Sequence, residues 1–298
     1  MTDQRYWVIF DSNIYRRLTR HCTFDQVGSM ASRIRGLERS QGIQATASPV
    51  VVLELVAHLL DDGDESRRCR NAIAYLANHV SEDAEKGHLH MVRSDEELVC
   101  HALFSVRNEK AEEVRSGLGR LAHAISRTSD GHVDPKWHEF IVSARVAKES
   151  TEQSWLEEFK AARLIVDPWA PAFLLDGAQA SVHRIAMRAG IDLKEHQLAK
   201  VSARFVELFT VTAELGRNLY LSFPPGNTIK ESEFVNSLWD LYLSYAFGPS
   251  HSITWLPILF VTEDKIFGHA LHAARASETV QVFDWNGYKK FIGLDPTQ

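Results

Sequence analysis

Four carboxylates in the 298-residue sequence fall at positions where they could do chemistry together. Asp11 and Asp264 each follow a short apolar run, whereas Glu54 and Asp240 interrupt apolar segments with helical spacing. Carboxylates that are brought together repel one another and raise their own pKa values unless a cation neutralises them. Hard oxygen ligands of this kind select Mg²⁺ or Mn²⁺. If the fold gathers the four acids, they form a divalent-metal site.

A metal held in this way supports hydrolysis. It lowers the pKa of a bound water, supplies hydroxide near neutral pH and stabilises the charge that develops on a phosphodiester during in-line attack, without a Ser, His or Cys nucleophile. The signatures of competing enzyme classes are missing from the sequence: there is no Gly-x-x-x-x-Gly-Lys phosphate loop, no Gly-x-Ser-x-Gly elbow and no Gly-x-Gly-x-x-Gly after a strand. ATPase, triad-hydrolase and dinucleotide-binding functions are therefore disfavoured.

The two ends of the sequence have the pattern of an α/β domain. Apolar runs at 6–10 and 258–261 are typical of strands buried on both faces of a parallel sheet. Ser48 followed by Pro49 predicts the N-cap and first turn of the helix that carries Glu54. Functional groups in an open parallel sheet gather outside the carboxyl ends of the strands. The acids that follow the two runs should therefore lie at one edge of the sheet.

The middle of the sequence predicts a different architecture, of amphipathic helices separated by polar breaks. Ser94 and Glu97 form a capping box that predicts a helix start, and the segment 194–221 predicts the longest helix of this block. We expect one α/β domain that is discontinuous in sequence, with a mostly α-helical insertion over or beside the acids. The expected divisions are 1–61 for the first part of the domain, 62–229 for the insertion and 230–298 for the second part.

Four short motifs resemble those of the PIN-domain nucleases. The segment 8–13 is similar to that family's opening strand followed by Asp-x-Asn, and 48–55 is similar to its helix that carries a Glu. The segment 240–246 resembles the later helix with an Asp, and 261–267 resembles the strand end with Thr-x-Asp and a following aromatic residue. Each motif is short, but the four occur in the family's order and each in its predicted structural context.

This resemblance implies a PIN-like three-layer fold with a central parallel sheet, and cleavage of RNA, less often DNA, with Mg²⁺ or Mn²⁺. A compact PIN domain has a much shorter connection between its Glu helix and its third acid, so the helical insertion departs from the family. The roles implied for this chain are Asp11 and Asp264 as principal metal ligands, Glu54 and Asp240 completing the catalytic cluster directly or through water, and Asn13 and Thr262 orienting ligands or water in a supporting shell.

Simpler interpretations remain for each of these residues. Asp11 could serve only as a turn and N-cap residue, and Glu54 and Asp240 could belong to polar stripes of half-buried helices. Glu263 and Asp284 are nearby acids, and either could be a fifth, outer carboxylate. The net charge of −6 gives no overall basic field for nucleic acid, so phosphate contacts need a local basic patch. The candidates are the arginines that follow the first acid, Arg16, Arg17 and Arg20.

The sequence thus favours a metal-dependent endoribonuclease with a role as a toxin, in defence or in RNA processing. Two alternatives stay open: a DNA nuclease that uses the same site, and a catalytically silent PIN-like module that binds a protein. In the second alternative the helical insertion would dock a partner or a second copy of the chain, and an inhibitory protein partner is compatible with both a nuclease and a binding module. Three cysteines without metal-site spacing, and apolar runs too short to span a bilayer, predict a cytoplasmic protein with free thiols and no membrane partner.

Overall fold

The computed structural model describes residues 5–83, 88–130, 132–248, 256–274 and 279–294. The strands in these ranges are β1 (Tyr6–Phe10), β2 (Ile43–Ala45), β3 (Ser81–Asp83), β4 (His88–Leu89), β5 (Ile258–Val261) and β6 (Val280–Phe283). Four of them form a sheet in the order β2-β1-β5-β6 in which each neighbouring pair is parallel. β3 and β4 form a separate antiparallel ribbon.

Helix starts follow local capping signals. The Ser48 side chain accepts the N–H of Val50, and Ser94 and Glu97 form the predicted capping box. The helices in the described ranges are α1 (Ser12–Thr19), α2 (Phe24–Ser40), α3 (Pro49–Ala57), α4 (Asp64–Val80), α5 (Asp95–Phe104), α6 (Glu109–Ser126), α7 (His138–Ala162), α8 (Phe173–Arg188), α9 (Glu195–Leu208), α10 (Thr210–Ser222), α11 (Glu231–Leu243), α12 (Ile266–Ala273) and α13 (Trp285–Phe291), with 3₁₀ turns at Pro135–Trp137 and Ser244–Phe247.

Helices cover both faces of the sheet. Phe10 of β1 is in register with Val261 of β5, so Phe10 and Phe260 point to opposite faces. The Phe10 ring packs 4.7 Å from the His79 ring of α4, and the Phe260 ring packs 4.8 Å from the Phe267 ring of α12. All four residues of β5 are buried, as expected for a strand with helices on both sides. The predicted α/β class with a central parallel sheet is confirmed.

The core around the sheet extends into the predicted insertion. α4 packs against α1, α2 and α6, and its buried apolar side chains belong to the same cluster as those of β1 and β5. Two smaller apolar clusters lie further along, one built mainly from α5, α8 and α9 and the other from α7, α10 and α11. The division of the chain at residue 61 stays a prediction, but α4, which follows it, is part of the core around the sheet.

The segment 194–221 is two helices, so the prediction of one long helix there is wrong. α9 ends and α10 begins at Phe209, whose backbone has φ −116° and ψ 45°. The Phe209 ring is almost fully buried and packs against the rings of Phe205 and Tyr245. Apolar spacing cannot reveal this bend, because the bend is set by where the ring is buried. The longest helix in the described ranges is α7, with 25 residues.

A buried polar network ties four helices together beside the sheet. The Glu38 carboxylate of α2 is fully buried, accepts a hydrogen bond from the Tyr288 hydroxyl at 2.7 Å and lies 2.8 Å from His79 Nε2. The other nitrogen of that imidazole lies 3.4 Å from the Tyr15 hydroxyl of α1. Burying a charged group is costly unless the group is paired and hydrogen-bonded. Loss of any of these contacts would therefore be costly, and the network holds α1, α2, α4 and α13 together around β1.

Candidate active site

The carboxyl ends of β1 and β5 bring the first two predicted residues together. These strands are neighbours, and Asp11 N–H donates to the carbonyl of Val261 at 3.0 Å, one step beyond the registered pairs. The Thr262 hydroxyl donates to Asp11 Oδ2 at 3.0 Å and accepts the N–H of Asp264, also at 3.0 Å. One hydroxyl therefore connects the acids that follow the two strands.

Asp11 is the most enclosed of the four acids, with 6% of its surface exposed. It stands at the start of α1, where the Ser12 hydroxyl lies 3.4 Å from Asp11 Oδ1. Burial, and then the negative charge of Glu54, raise the pKa of Asp11 to about 6. The Thr262 hydroxyl and the backbone N–H groups of Ser12 and Asn13 act in the opposite direction, because they hydrogen-bond the carboxylate.

Asp240 joins the cluster from α11. Burial, and then the charges of Asp11, Asp264 and Glu54, raise the pKa of Asp240 to about 9. A hydrogen bond between the carboxyl groups of Asp240 and Asp264 contributes in the same direction. Asp240 is therefore protonated near neutral pH in the metal-free protein. The charges of the other three acids act on Asp240, so the four predicted carboxylates lie near enough to one another to interact electrostatically.

Glu54 and Asp264 form the more exposed side of the cluster. The Glu54 side chain, on α3, is 24% exposed and lies 4.0 Å from Arg16 Nη2 of α1. Asp264 is half-buried, and its Oδ1 accepts the N–H of Ile266 at 2.7 Å at the start of α12. The site thus has two acids held tightly by the ends of β1 and β5, and two that arrive on helices.

The arginines after Asp11 differ in their surroundings. Arg16 pairs through Nη1 with Glu65 of α4 at 3.2 Å, but its Nε and Nη2 are buried without a hydrogen-bond partner among the described residues. Arg17 is exposed and pairs with Glu263, whose Oε1 also accepts the N–H of Trp285 at 3.4 Å. Arg20 is exposed at the end of α1. Ion pairs with Glu54 and Glu65 thus hold the Arg16 guanidinium beside the cluster.

The remaining predicted residues lie at the margin of the site. Asn13 is exposed on the first turn of α1, next to Asp11. Asp284, considered as an outer carboxylate, is the N-cap of α13 and accepts the N–H of Gly287 at 2.6 Å. Its side chain is thus engaged in capping a helix.

Sequence reasoning missed the contribution of α7, which packs against both α3 and α11. Glu152 accepts a hydrogen bond from Trp239 Nε1 at 2.6 Å, and the ammonium of the buried Lys148 pairs with Glu152 and lies 5.5 Å from the Trp239 ring. Arg145 pairs with Asp61, just beyond α3, at 2.9 Å. The sequence shows that Arg145, Lys148 and Glu152 are spaced to share one face of a helix. It does not show which other helices that face contacts.

The donor set suits a divalent metal, although the side chains do not surround one. Four carboxylates offer hard oxygen ligands of the kind that Mg²⁺ and Mn²⁺ prefer. Within the ranges the structure describes, no group of three or more His, Cys, Asp or Glu side chains is arranged around a common metal position. The carboxyl groups of Asp240 and Asp264 hydrogen-bond each other instead. Release of the shared proton would free both for a cation, so the residues fit the metal by their chemistry.

Comparison with protein-family models, with curated proteins and with solved structures finds no match for this chain. Among the helices of the described ranges, none is both long and apolar enough to cross a bilayer. The three cysteines, all of which lie in described ranges, are free thiols as predicted.

Proposed function

We propose that this chain is a PIN-like, metal-dependent nuclease that hydrolyses phosphodiester bonds in RNA. The observation that supports the proposal is the meeting of Asp11, Glu54, Asp240 and Asp264 from four separate elements. Carboxylates that repel one another destabilise the metal-free fold. Destabilising charge clusters of this kind are typical of functional sites.

The residues of the chain divide the work at this site. Asp11 and Asp264 are the principal ligands, and Glu54 and Asp240 complete the set directly or through water. Thr262 orients the site, because its hydroxyl donates to Asp11 and accepts from the backbone of Asp264. When bound, a divalent cation would lower the pKa of a water and offset the negative charge that develops on the phosphodiester.

One residue beside the cluster, Arg16, favours a polyanionic substrate. Arg16 places its guanidinium beside the cluster, with Nη2 4.0 Å from Glu54 Oε1. A guanidinium in this position can hydrogen-bond a phosphate oxygen, and such contacts position a nucleic acid without reading its sequence. RNA is the substrate that the motif resemblance implies, and a ribonuclease distinguishes RNA from DNA through contacts to the 2′-hydroxyl.

The test is cleavage of labelled single-stranded RNA, and of DNA of the same sequence, in Mg²⁺, in Mn²⁺ and in EDTA. The wild-type protein should cleave RNA only with metal. Asp11→Asn and Asp264→Asn should each lose more than about 100-fold in rate, because loss of even an outer-shell partner of a metal ligand costs about 10–100-fold. Glu263→Gln is the matched control, since this neighbouring carboxylate pairs with Arg17, and it should retain activity.

Two results would contradict the proposal. Equal RNA cleavage in EDTA would exclude the metal-dependent mechanism, and equal activity of the two asparagine variants and the control would exclude the acidic cluster as the site. Preferential cleavage of DNA would keep the site and change the substrate. Absence of both cleavage and Mg²⁺ binding in the folded wild-type protein would favour a protein-binding module with a silent site.

A further inference from the structure

A second site lies away from the acids, in the helical part of the chain. A cavity of about 220 Å³ is lined by residues at the start of α5 and from α7 to α11, with Tyr245 following α11. Its lining is mainly apolar and includes the aromatic side chains of Trp155, Phe173, Tyr242 and Tyr245. Nothing in the proposed nuclease chemistry uses this space.

The charged groups that line the cavity leave one carboxylate unmatched. Arg184 lies 4.3 Å from the Trp155 ring and pairs with Glu158, so its charge is offset. Arg188 pairs with Glu96 at 3.1 Å. Asp95 lines the same cavity and forms no ion pair among the residues that the structure describes. Asp95 is therefore the charged group of the lining that has no ion pair within the described residues.

Asp95 is poorly solvated. Burial, and then the charge of Glu96, raise the pKa of Asp95 to about 7, while a backbone hydrogen bond at Glu96 and then the charge of Arg188 offset part of this effect. The other ionisable groups that face Asp95 across the cavity are Tyr242 and Tyr245, whose own pKa values are raised by burial, so both are neutral at physiological pH. A bound cation would stabilise the carboxylate, because an opposite charge in a poorly solvated site favours ionisation.

Size and chemistry together limit the ligand. An apolar cavity of about 150 Å³ holds one benzene ring, so this cavity of about 220 Å³ accommodates a ring with a short side chain. Aromatic walls attract cations through the faces of their rings, and a carboxylate supplies the opposite charge. We propose that the cavity binds a small aromatic amine in its protonated form, with the ammonium on Asp95 and the ring among the aromatic side chains of α8 and α11.

Calorimetric titration of the full chain at pH 8 tests this inference with three probes of similar shape. Phenethylamine is the cationic probe, 2-phenylethanol is neutral and 3-phenylpropanoate is anionic. The amine should bind at least tenfold more tightly than the alcohol, and the carboxylate should not bind. Asp95→Asn should remove the preference for the amine over the alcohol, whereas Asp192→Asn, at an exposed position far along the chain, should keep it.

A second variant fills the cavity without touching its charge. Gly216 of α10 lines the space, and a Cβ added there would have as its nearest neighbour Leu241 Cδ1 at 4.0 Å, so a larger side chain has room to enter. Gly216→Leu should weaken the amine at least tenfold while the protein stays folded, which keeps the test decisive if Asp95→Asn does not fold. Equal binding of all three probes, an unchanged preference in Asp95→Asn, or no amine binding at millimolar concentration would each overturn the inference.

Discussion

Replacing Asp240 by asparagine should stabilise the metal-free protein. In the folded state the pKa of Asp240 is raised from 3.8 to about 9, by burial first and then by Asp11, Asp264 and Glu54. The folded protein therefore keeps a proton at pH 7 that the unfolded chain releases. An asparagine has no proton to release, and its NH₂ group can still donate to Asp264 as the protonated carboxyl does.

The magnitude follows from linkage between proton binding and folding. Ionisation of Asp240 stabilises the unfolded chain, relative to the folded protein, by about 1.4 kcal/mol for each pH unit above 3.8. At pH 7 this amounts to at most about 4 kcal/mol for this one group. Because Asp240 and Asp11 interact, part of this energy is shared between them. Because the pKa of Asp240 is raised in the folded protein, the free energy of unfolding of the wild type falls as pH rises. The advantage of Asp240→Asn should therefore shrink to less than about 2 kcal/mol at pH 5.

Urea unfolding at pH 5, 6, 7 and 8 in EDTA measures this difference, with Asp192→Asn as an exposed control that should match the wild type. Added Mg²⁺ should then stabilise the wild type in proportion to the logarithm of its concentration, and stabilise Asp240→Asn much less. If Asp240→Asn is no more stable than wild type at pH 7, or if its advantage does not change between pH 5 and pH 8, the electrostatic reading of the cluster is refuted.

Three further predictions concern other parts of the molecule. Glu38→Ala should lower the free energy of unfolding in urea by about 3–5 kcal/mol, because it leaves His79 and the Tyr288 hydroxyl buried without their partner; a loss below about 1 kcal/mol would contradict the paired network. Phenethylamine affinity should rise between pH 5 and pH 8 as Asp95 ionises, and calorimetry showing a flat profile would exclude that carboxylate. Arg16→Ala, made in catalytically inactive protein, should weaken RNA binding about tenfold and flatten its salt dependence; unchanged filter-binding curves would exclude this phosphate contact.

Local features of the sequence were sufficient to predict the elements that carry the acids. The run at 6–10 is a strand buried on both faces, and Ser48 caps the helix of Glu54 because the signals for both are short-range. The segment 194–221 shows where such reasoning fails. Its apolar spacing suits one helix, but burial of Phe209 against neighbouring rings divides it.

The candidate site was only partly accessible to the same reasoning. Parallel topology predicted that Asp11 and Asp264 would share one edge of the sheet, and the structure places them there, linked through Thr262. That Asp240 would hydrogen-bond to Asp264 could not be predicted, since the position of α11 depends on its packing against α3 and α7.

The sequence by itself determined the types of the reacting groups and the elements on which they stand, because strand burial, capping and charge are properties of neighbouring residues. Only the tertiary structure decided which groups face one another. It turned Arg16 toward Glu54, brought Glu263 to Arg17 and, within the described part of the chain, left Asp95 without an ion pair in the cavity between the helices. These arrangements depend on contacts between segments far apart in the chain, and such contacts are set by how the helices pack.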